Sequence, residues 1–499
     1  MLEVLFFLPV LGALLLLLLP AKAARWTGFG VAVLTFLLAL YLIPSAYGHG
    51  AGYGTLLSVP WIGAWGVNWA LGLDGLSLVL VILTTLVSAV AIAWTPARDR
   101  AYYVLFLLLE ATALGTFLAA DLFVFYVFWE AMIIPAYILI AGYGGPRRQK
   151  AAIKFLIYSL VPSLLMLAAV VVLGYEAFLQ FGQWSFSLAT LSHLSLPVSM
   201  QMWLFAAFAF AFLVKIPAFP FHSWMPDAYA EAPAPVTAML SSVLSKTALY
   251  AFLRIALPIM PTAAQRFAPV LAVLALISIL YGAFIALAQR DGKLVIGYSS
   301  LSHLGLVLLG IAALSYTGLQ GAVMQMFNHG IYAAGLFLLF GLVEERVGTR
   351  DLEAMGGLEA RGPILAGLFL IAVLTALGLP GLQGFAGEIT LLTGIYMSHA
   401  AWAWIAVISV ILSAAYFIRL FQKVAHGTPR APAGASGERP EISGGQIALI
   451  APLMLAMVLF GLYPKAITNI IGPALTHVSQ SVRATAQGPS AVTSEVQVK

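Results

Sequence analysis

The 499-residue chain is 62% hydrophobic and only 9% charged, with a formal net charge of +5. A soluble globular domain cannot cover that much apolar surface, so the composition excludes a soluble fold and predicts an all-α polytopic membrane protein. The chain has no cysteine. Disulfides, iron–sulfur ligation, thiol catalysis and zinc sites of the cysteine type are therefore excluded for this chain.

Fourteen apolar segments are long enough, at about 20 residues each, to cross a bilayer as helices. They lie near 3–20, 27–45, 75–94, 101–118, 120–142, 151–174, 203–221, 236–258, 267–288, 293–314, 318–343, 363–396, 401–422 and 445–464. The first segment contains Glu3 and has no basic flank before it, so we expect it to be retained as a span rather than cleaved.

Positive charge collects on the cytoplasmic side of short membrane loops, which gives a test of orientation. With fourteen alternating spans, seventeen of the 24 Lys and Arg residues fall on one side and five on the other, while Lys215 and Lys246 lie inside spans. The asymmetry predicts that both termini lie outside a bacterial inner (plasma) membrane. It also places residues 46–73 outside, where we expect a short hairpin that leads into the third span at Asp74.

These spans predict a division of the chain into six parts. The parts are helices 1–3 with an outside loop at 1–98, a first five-helix repeat at 99–260, a second at 261–425, a cytoplasmic linker at 426–444, a C-terminal helix 14 at 445–478 and a disordered tail at 479–499.

The seventh span contains a lysine and two prolines at membrane depth. Lys215 directly follows twelve apolar residues, and Pro217 and Pro220 come within the next five positions. A charge at the bilayer centre costs about 2.5 to 3.5 kcal/mol on insertion scales. The prolines remove backbone donors and predict a broken helix, which is tolerated only where protein or a water-filled cavity satisfies the backbone. This combination is typical of a proton or ion pathway.

The twelfth span repeats the pattern, with Pro380 and several glycines next to Glu388. The two breaks lie five spans apart, and an odd offset means opposite orientation. We therefore predict two inverted five-helix repeats with broken helices 7 and 12, an arrangement found in many transporters.

Eight ionisable residues lie in or next to these spans: Glu110, Glu130, Lys215, His222, Lys246, His303, His329 and Glu388. A glutamate and a lysine that separate and rejoin change each other's proton affinity, so we expect Glu130 and Lys215 to form a proton switch. Lys246, the histidines and Glu388 would then extend the path. Each feature also has a purely structural interpretation: the glutamates could be protonated hydrogen-bonding groups, the histidines could be helix-packing residues, and the prolines could be simple kinks. Unpaired buried charges, however, are too costly to accumulate by accident.

Several of these motifs resemble the antiporter-like subunits of respiratory complex I. The resemblance rests on FWEAMIIP around Glu130, on HSWMPDAYAEAPAPV after the first break, on SSLSHLGLVLLG, on MFNHGIYAAG and on LPGLQGFAGEITLLTG around Glu388. Within the family, a glutamate in the broken twelfth span and the short C-terminus resemble the chain M type, called subunit 4 in mitochondria.

The resemblance implies a role for each matching residue. Glu130 matches the fifth-span glutamate that pairs with the seventh-span lysine, here Lys215. Lys246 matches the central eighth-span lysine, and Glu388 matches the terminal acid of the twelfth span. The remaining matches are a fourth-span glutamate and three histidines of the hydrated axis: Glu110, His222, His303 and His329.

The implied function is proton pumping coupled to quinone reduction, with FMN, iron–sulfur clusters and quinone in other subunits and no cofactor in this chain. The implied partners are the neighbouring chains L and N, the lipid bilayer and protons, with no nucleic acid. Three alternatives stay open: a subunit of a multisubunit Na⁺/H⁺ antiporter or membrane-bound hydrogenase, a structural scaffold, and a solute transporter.

Overall fold

The structure, a computed structural model, describes residues 1–46, 53, 55–428 and 441–486. Most of the predicted linker at 426–444 and the end of the predicted tail at 479–499 therefore lie outside the described residues.

The helices and strands, in chain order, are α1 Leu2–Leu18, α2 Ala21–Tyr41, β1 Thr55–Ile62, β2 Val67–Leu73, α3 Gly75–Trp94, α4 Arg100–Leu118, α5 Leu122–Ala131, α6 Ile133–Tyr143, α7 Arg148–Phe181, α8 Leu188–Leu191, α9 Val198–Lys215, α10 Trp224–Glu231, α11 Ala234–Met239, α12 Ser245–Ala251, α13 Leu257–Ile259, α14 Pro261–Ala288, α15 Gly292–Ala312, α16 Tyr316–Val347, α17 Leu358–Arg361, α18 Pro363–Ala376, α19 Gln383–Ser398, α20 Ala400–Ala425, α21 Gly444–Leu462 and α22 Lys465–Ala486. Two π-helical turns, Leu240–Leu244 and Phe252–Ala256, join α11, α12 and α13 into one continuous rod.

The predicted all-α membrane architecture is confirmed. Within the described ranges, twelve helices are long and apolar enough to cross a membrane, and two shorter apolar helices are α1 and α18. Every predicted apolar segment coincides with a helix or an interrupted helix, and helices 7 and 12 are broken as expected. The number of crossings and the inverted relationship of the two repeats stay predictions.

The loop before the third span contains a hairpin. Strands β1 and β2 pair in antiparallel register from Thr55 opposite Leu73 to Ile62 opposite Val67. The Asp74 side chain then accepts a hydrogen bond from the Ser77 N–H, which caps α3 and explains why the strand turns into a helix at this point.

The C-terminal region differs from the sequence prediction in two ways. The predicted helix over 445–478 is split, because α21 ends at Leu462 and α22 begins at Lys465. Residues 479–486 belong to α22 and are helical rather than disordered. The physical reason is an apolar stripe at helical spacing whose members are buried: Ile467, Ile471, Leu475, Val478 and Val482.

The centre of the bundle is formed by the helices that the others surround. The most apolar 18-residue segments of α3 and of the rod over 234–259 are completely buried, and that of α16 is almost completely buried. In the outer helices α2, α7, α14, α20 and α21, fewer than half of the positions in the corresponding segment are buried. The polar residues described next therefore lie between central helices and not on the lateral surface.

Candidate functional site

The break in the seventh span occurs directly after Lys215, the last residue of α9. The Ala218 N–H donates to the Leu213 carbonyl at 2.9 Å, and the Trp224 indole donates to the Val214 carbonyl at 2.8 Å. Protein donors thus satisfy backbone carbonyls that the interrupted helix leaves free. Lys215 lies at the carbonyl end of α9, where the helix dipole favours a positive charge.

The Lys215 side chain contacts Trp129 rather than Glu130. Its Nζ donates to the Trp129 carbonyl at 3.2 Å and lies 3.7 Å from the centre of the Trp129 ring, and the residue is only 5% exposed. Among the described residues no carboxylate oxygen lies within 4.0 Å of this nitrogen. Glu130 and Lys215, which the sequence predicts to form a switch that separates and rejoins, therefore make no ion pair in this arrangement, although the two groups are close enough to interact electrostatically. The switch itself stays a prediction.

Lys246 lies at the centre of the rod and is fully buried. It follows the π-helical turn Leu240–Leu244, and its Nζ donates to the carbonyl of Ser241, five residues earlier, at 2.6 Å. A π-helical turn leaves a carbonyl without its usual i+4 partner, and π-turns occur often at functional sites. On its other side the Lys246 Nζ lies 2.6 Å from the Nδ1 of His329 in α16.

A second cluster continues from His329 towards α19. The ring centres of His329 and His303 are 5.8 Å apart, and the His303 Nδ1 lies 2.9 Å from the Tyr332 hydroxyl. Gln325 donates through its Nε2 to Tyr332 at 3.3 Å and to the Glu388 Oε1 at 3.4 Å. The His303 Nε2 lies 3.9 Å from the same carboxylate oxygen. We call this connected set, from Lys246 to Glu388, the polar axis.

The break in the twelfth span positions Glu388. Helix α18 ends with a bond from the Leu379 N–H to the Leu374 carbonyl, the same i to i+5 pattern as at the first break. Glu388 occupies the second turn of α19, and helical side chains point towards the N-terminus, so its carboxylate returns to the break. A Cβ on Gly378, which has a φ of +80°, would lie 2.5 Å from the Glu388 Oε2.

The structure does not bring two predicted residues into the polar axis. Glu110 in α4 is 0% exposed, and within the described part of the chain neither carboxylate oxygen has a hydrogen-bond partner. His222 lies beside the rings of Phe219 and Tyr281 after the first break. Neither residue shares a hydrogen bond or an ion pair with the axis among the described residues.

A cavity of about 700 Å³ opens where the rod begins, and its lining includes Glu231, Lys293 and Arg350. The Lys293 Nζ donates to the Ala232 carbonyl at 2.5 Å, and Arg350 donates to the Ala230 carbonyl at 2.7 Å. Charged groups on the rim therefore hold the backbone between α10 and α11, one turn before the rod.

Hydroxyl groups lie between this cavity and Lys246. Ser241 and Ser300 have their Oγ atoms 3.2 Å apart, and the buried hydroxyl of Tyr229 lies close to Ser241. Because Ser241 is also the residue whose carbonyl binds Lys246, these groups mark a polar connection from the cavity to the axis.

Two basic residues at the start of α7 have specific partners. The Arg147 Nε lies 3.2 Å from Glu231, and the Lys154 Nζ lies 2.8 Å from Asp227. Both carboxylates belong to α10, so these ion pairs hold α10 against α7 next to the first break.

The sequence analysis missed Tyr332 and Gln325, which connect His303 to Glu388. The signal was present, because four polar residues occupy positions i, i+3, i+4 and i+7 of one apolar helix and therefore share a face: Gln325, Asn328, His329 and Tyr332. Among the described residues, no group of three or more acidic or histidine side chains is arranged to hold a metal ion.

Comparisons with known proteins agree with this architecture. Residues 119–413 match the family described as NADH:quinone oxidoreductase/Mrp antiporter, TM. "NADH-quinone oxidoreductase subunit M" of Rhodobacter capsulatus is 36% identical over 97% of this chain and 97% of its own length. "NAD(P)H-quinone oxidoreductase chain 4 1" of a Nostoc species is 34% identical over 98% of this chain and 94% of its own length.

Solved structures give the same result. A chain in the structure "Respiratory complex I from Thermus thermophilus with bound NADH" superimposes with a TM-score of 0.89 at 36% identity, covering 97% of this chain and 100% of that chain. A chain of the Mrp complex from a Dietzia species has a TM-score of 0.83 at 23% identity, which shows a shared fold alone. The chain belongs to the NADH:quinone oxidoreductase/Mrp antiporter family of membrane subunits.

Proposed function

We propose that this chain is the chain M type, proton-translocating membrane subunit of an NADH:quinone oxidoreductase, and that quinone reduction elsewhere in the complex drives its proton transfer. The names and near-complete coverage of the Rhodobacter and Thermus relatives support this assignment. Glu388 supports it further. The resemblance implies that the sister chains and the antiporter subunits carry a lysine where this chain has a glutamate.

The observation that carries the proposal is the polar axis itself. Short contacts and hydrogen bonds connect a buried row of ionisable and polar groups: Lys246, His329, His303, Tyr332 and Glu388. An isolated ionisable group inside a membrane protein is costly, and a row of them typically marks a proton relay. The axis runs laterally from the rod to the second broken helix.

Lys215 and Glu130 supply the switch in this proposal. In the arrangement described here, the Trp129 carbonyl and ring hold the Lys215 ammonium away from the Glu130 carboxylate. A rotation of Lys215 towards Glu130 would form an ion pair and remove positive charge from the neighbourhood of Lys246. The proton on Lys246 would then be held more strongly, and the reverse movement would release it towards His329.

Water is expected to complete the path. Among the described residues, several buried polar atoms of the axis have no hydrogen-bond partner: His329 Nε2, His303 Nε2, Gln325 Oε1, Asn328 Oδ1 and Gln383 Oε1. Buried polar groups are almost always hydrogen-bonded to protein or to ordered water. We infer that water molecules bridge these atoms, and that protons enter from the cavity at Glu231 through Tyr229 and Ser241.

The proposal extends to location, partners and cofactors. The bacterial relatives support a location in a bacterial inner membrane, and the charge asymmetry supports an orientation with both termini outside. The exposed apolar faces of α2, α7 and α20 would contact lipid and the neighbouring chains L and N. FMN, iron–sulfur clusters and quinone would reside in other subunits of the complex.

Glu388→Gln in the assembled complex, reconstituted in vesicles, tests the proposal. We expect quinone reduction and proton uptake to fall together, because an amide cannot accept the proton at the end of the axis. The matched control is Glu441→Gln, since Glu441 lies outside the polar axis and accepts bonds from the Ile364, Leu365 and Ile442 N–H groups near the start of α18. Wild-type pumping by Glu388→Gln, or proton exchange that requires Na⁺ and not quinone, would contradict the proposal.

A further inference from the structure

Three polar residues follow one another along the rod at intervals of four: Lys246, Tyr250 and Arg254. Lys246 and Tyr250 are fully buried. Arg254 lies about 12 Å beyond Lys246 at the helical rise per residue, towards the end of the rod opposite to the cavity. The row therefore points from the central lysine to the face that we assign to the outside.

Direct contacts join the last two residues of this row to Asp74. The Arg254 guanidinium lies 2.6 Å from the Asp74 carboxylate, and its Nε donates to the Tyr250 hydroxyl at 3.1 Å. The Tyr250 hydroxyl in turn donates to the Phe117 carbonyl of α4 at 2.9 Å. The ring of Tyr53 lies 5.2 Å from the guanidinium and covers it.

The ion pair is held firmly on both sides. The other oxygen of Asp74 accepts bonds from the Ser77 N–H and hydroxyl at the start of α3. The side chains of Arg254 and Asp74 are only 15% and 10% exposed. A buried ion pair is costly to form and is retained where its geometry and remaining hydrogen bonds are satisfied. The proposed proton path along the polar axis does not require this ion pair, so the position of the pair needs a separate explanation.

The chemistry of the three side chains interrupts proton transfer. A proton wire requires each member to accept a proton on one side and to release one on the other. Arg254 can only donate, because a guanidinium stays protonated in proteins. Tyr250 accepts from this non-releasing donor and commits its single proton to the Phe117 carbonyl, which cannot pass it on.

We propose that Asp74, Arg254 and Tyr250 form an insulating plug at the outer end of the rod. The plug prevents a proton on Lys246 from escaping directly to the outside, so that it leaves laterally through His329. These are positioning residues and contact no transferred proton in normal turnover. The inference rests on the proposed function, since an insulator is needed only if Lys246 carries a proton.

Passive proton leak of the assembled complex in proteoliposomes, measured without NADH or quinone, tests the plug. We expect the double variant Asp74→Asn/Arg254→Ala to raise the leak severalfold, because the space left by the side chain admits water. Both charges are replaced together, so no unpaired buried charge remains. The matched control is Asp74→Asn/Arg254→Met, which also removes the ion pair but fills the space with an apolar side chain. We expect its proton leak to stay at the wild-type level.

Adding Tyr250→Phe to the leaking variant identifies the route. Once Arg254 is replaced, the Tyr250 hydroxyl no longer accepts from a non-releasing donor and can exchange protons with the admitted water. The ring of Tyr250→Phe still packs against Phe117 without that hydroxyl, so we expect the leak to fall back. If the Ala variant does not assemble, Asp74→Asn/Arg254→Ser provides the same test, because serine leaves a similar space and adds a polar group. An assembled Ala or Ser variant without a raised leak, or a leak that persists with Tyr250→Phe, would overturn the plug.

The leak assay does not depend on turnover, so it separates this inference from the proposed function. If the plug variant leaks while Glu388→Gln pumps normally, the plug is supported and the proposed lateral exit is wrong. If the plug variant does not leak while Glu388→Gln fails to pump, the relay is supported and the plug is wrong.

Discussion

The Nζ of Lys246 lies 2.6 Å from the Nδ1 of His329, across 83 residues of sequence. In the proposed function these two nitrogens share one proton, because two adjacent positive charges in a buried site repel strongly. The contact joins the rod over 234–259 to α16, and so joins the two predicted repeats. Under that proposal Lys246 and His329 form a single proton-binding unit at the start of the lateral path.

Lys246→Arg is predicted to abolish pumping although it conserves the charge. A guanidinium does not release its proton at physiological pH, so the shared proton with His329 is lost. We expect proton uptake and quinone reduction to fall by roughly tenfold or more, as for loss of a general acid–base group. Lys246→Ala is the comparison, and a variant with arginine that pumps at wild-type rate would show that only the charge matters.

Tyr332→Phe is predicted to slow proton transfer without loss of assembly. The ring would still pack between His303 and His329, but the hydroxyl that bonds His303 and accepts from Gln325 would be missing. The measurement is the pumping rate of the purified complex in vesicles. Tyr103→Phe is the matched control, because this buried tyrosine lies in α4 and its hydroxyl bonds the Pro96 carbonyl and the Arg98 N–H, away from the axis. Equal rates for the two variants would remove Tyr332 from the path.

Gly378→Ala is predicted to displace Glu388 and to impair pumping. The new Cβ would lie 2.5 Å from the Glu388 Oε2, and the carboxylate would have to move away from Gln325. Gly381→Ala is a close control, because its φ is +94° but no atom lies within 4 Å of the added Cβ.

Both alanines carry a backbone strain of about 1 to 2 kcal/mol for a left-handed conformation. Stability therefore falls in both variants, whereas pumping falls only in Gly378→Ala. A similar loss of pumping in the two would mean that backbone strain, and not Glu388, is responsible.

Leu475→Ala is predicted to destabilise the C-terminal helix α22. Leu475 is fully buried in the apolar stripe of this helix, and truncation of a buried leucine costs about 2 to 5 kcal/mol. A lower melting temperature of the complex and faster amide exchange over 465–482 would be the readouts. Gln480→Ala, on the exposed face, should change neither; no difference between them would contradict the burial of this stripe.

The broken helices could be predicted from the sequence because their causes are local. Pro217 and Pro220 lack backbone donors, and Lys215 is conspicuous in an apolar run. Lys246 and Glu388 stand out for the same reason. The apolar segments are equally visible, since each is a continuous run of about the length that a bilayer requires.

The contacts of these residues could not be predicted, because they depend on tertiary packing. Glu130 and Lys215 have opposite charges and lie in the fifth and seventh spans, yet the Lys215 ammonium contacts the carbonyl and the ring of Trp129. Tyr332 carries no charge, and its importance follows only from its distance to His303. The break between α21 and α22 and the continuation of α22 to Ala486 were not predicted. The buried residues of α22 are separated by polar ones, and only their spacing indicates a helix.

Lys215→Ala in the assembled complex in membrane vesicles, with quinone reduction and proton uptake recorded together, tests the central claim most directly. Lys150→Ala, at an exposed position of the same charge, is the control. If Lys215 is the switch of an obligatorily coupled pump, both activities collapse while the complex assembles. If both activities persist at wild-type levels, the lysine is structural and the proposed proton path is wrong at its centre.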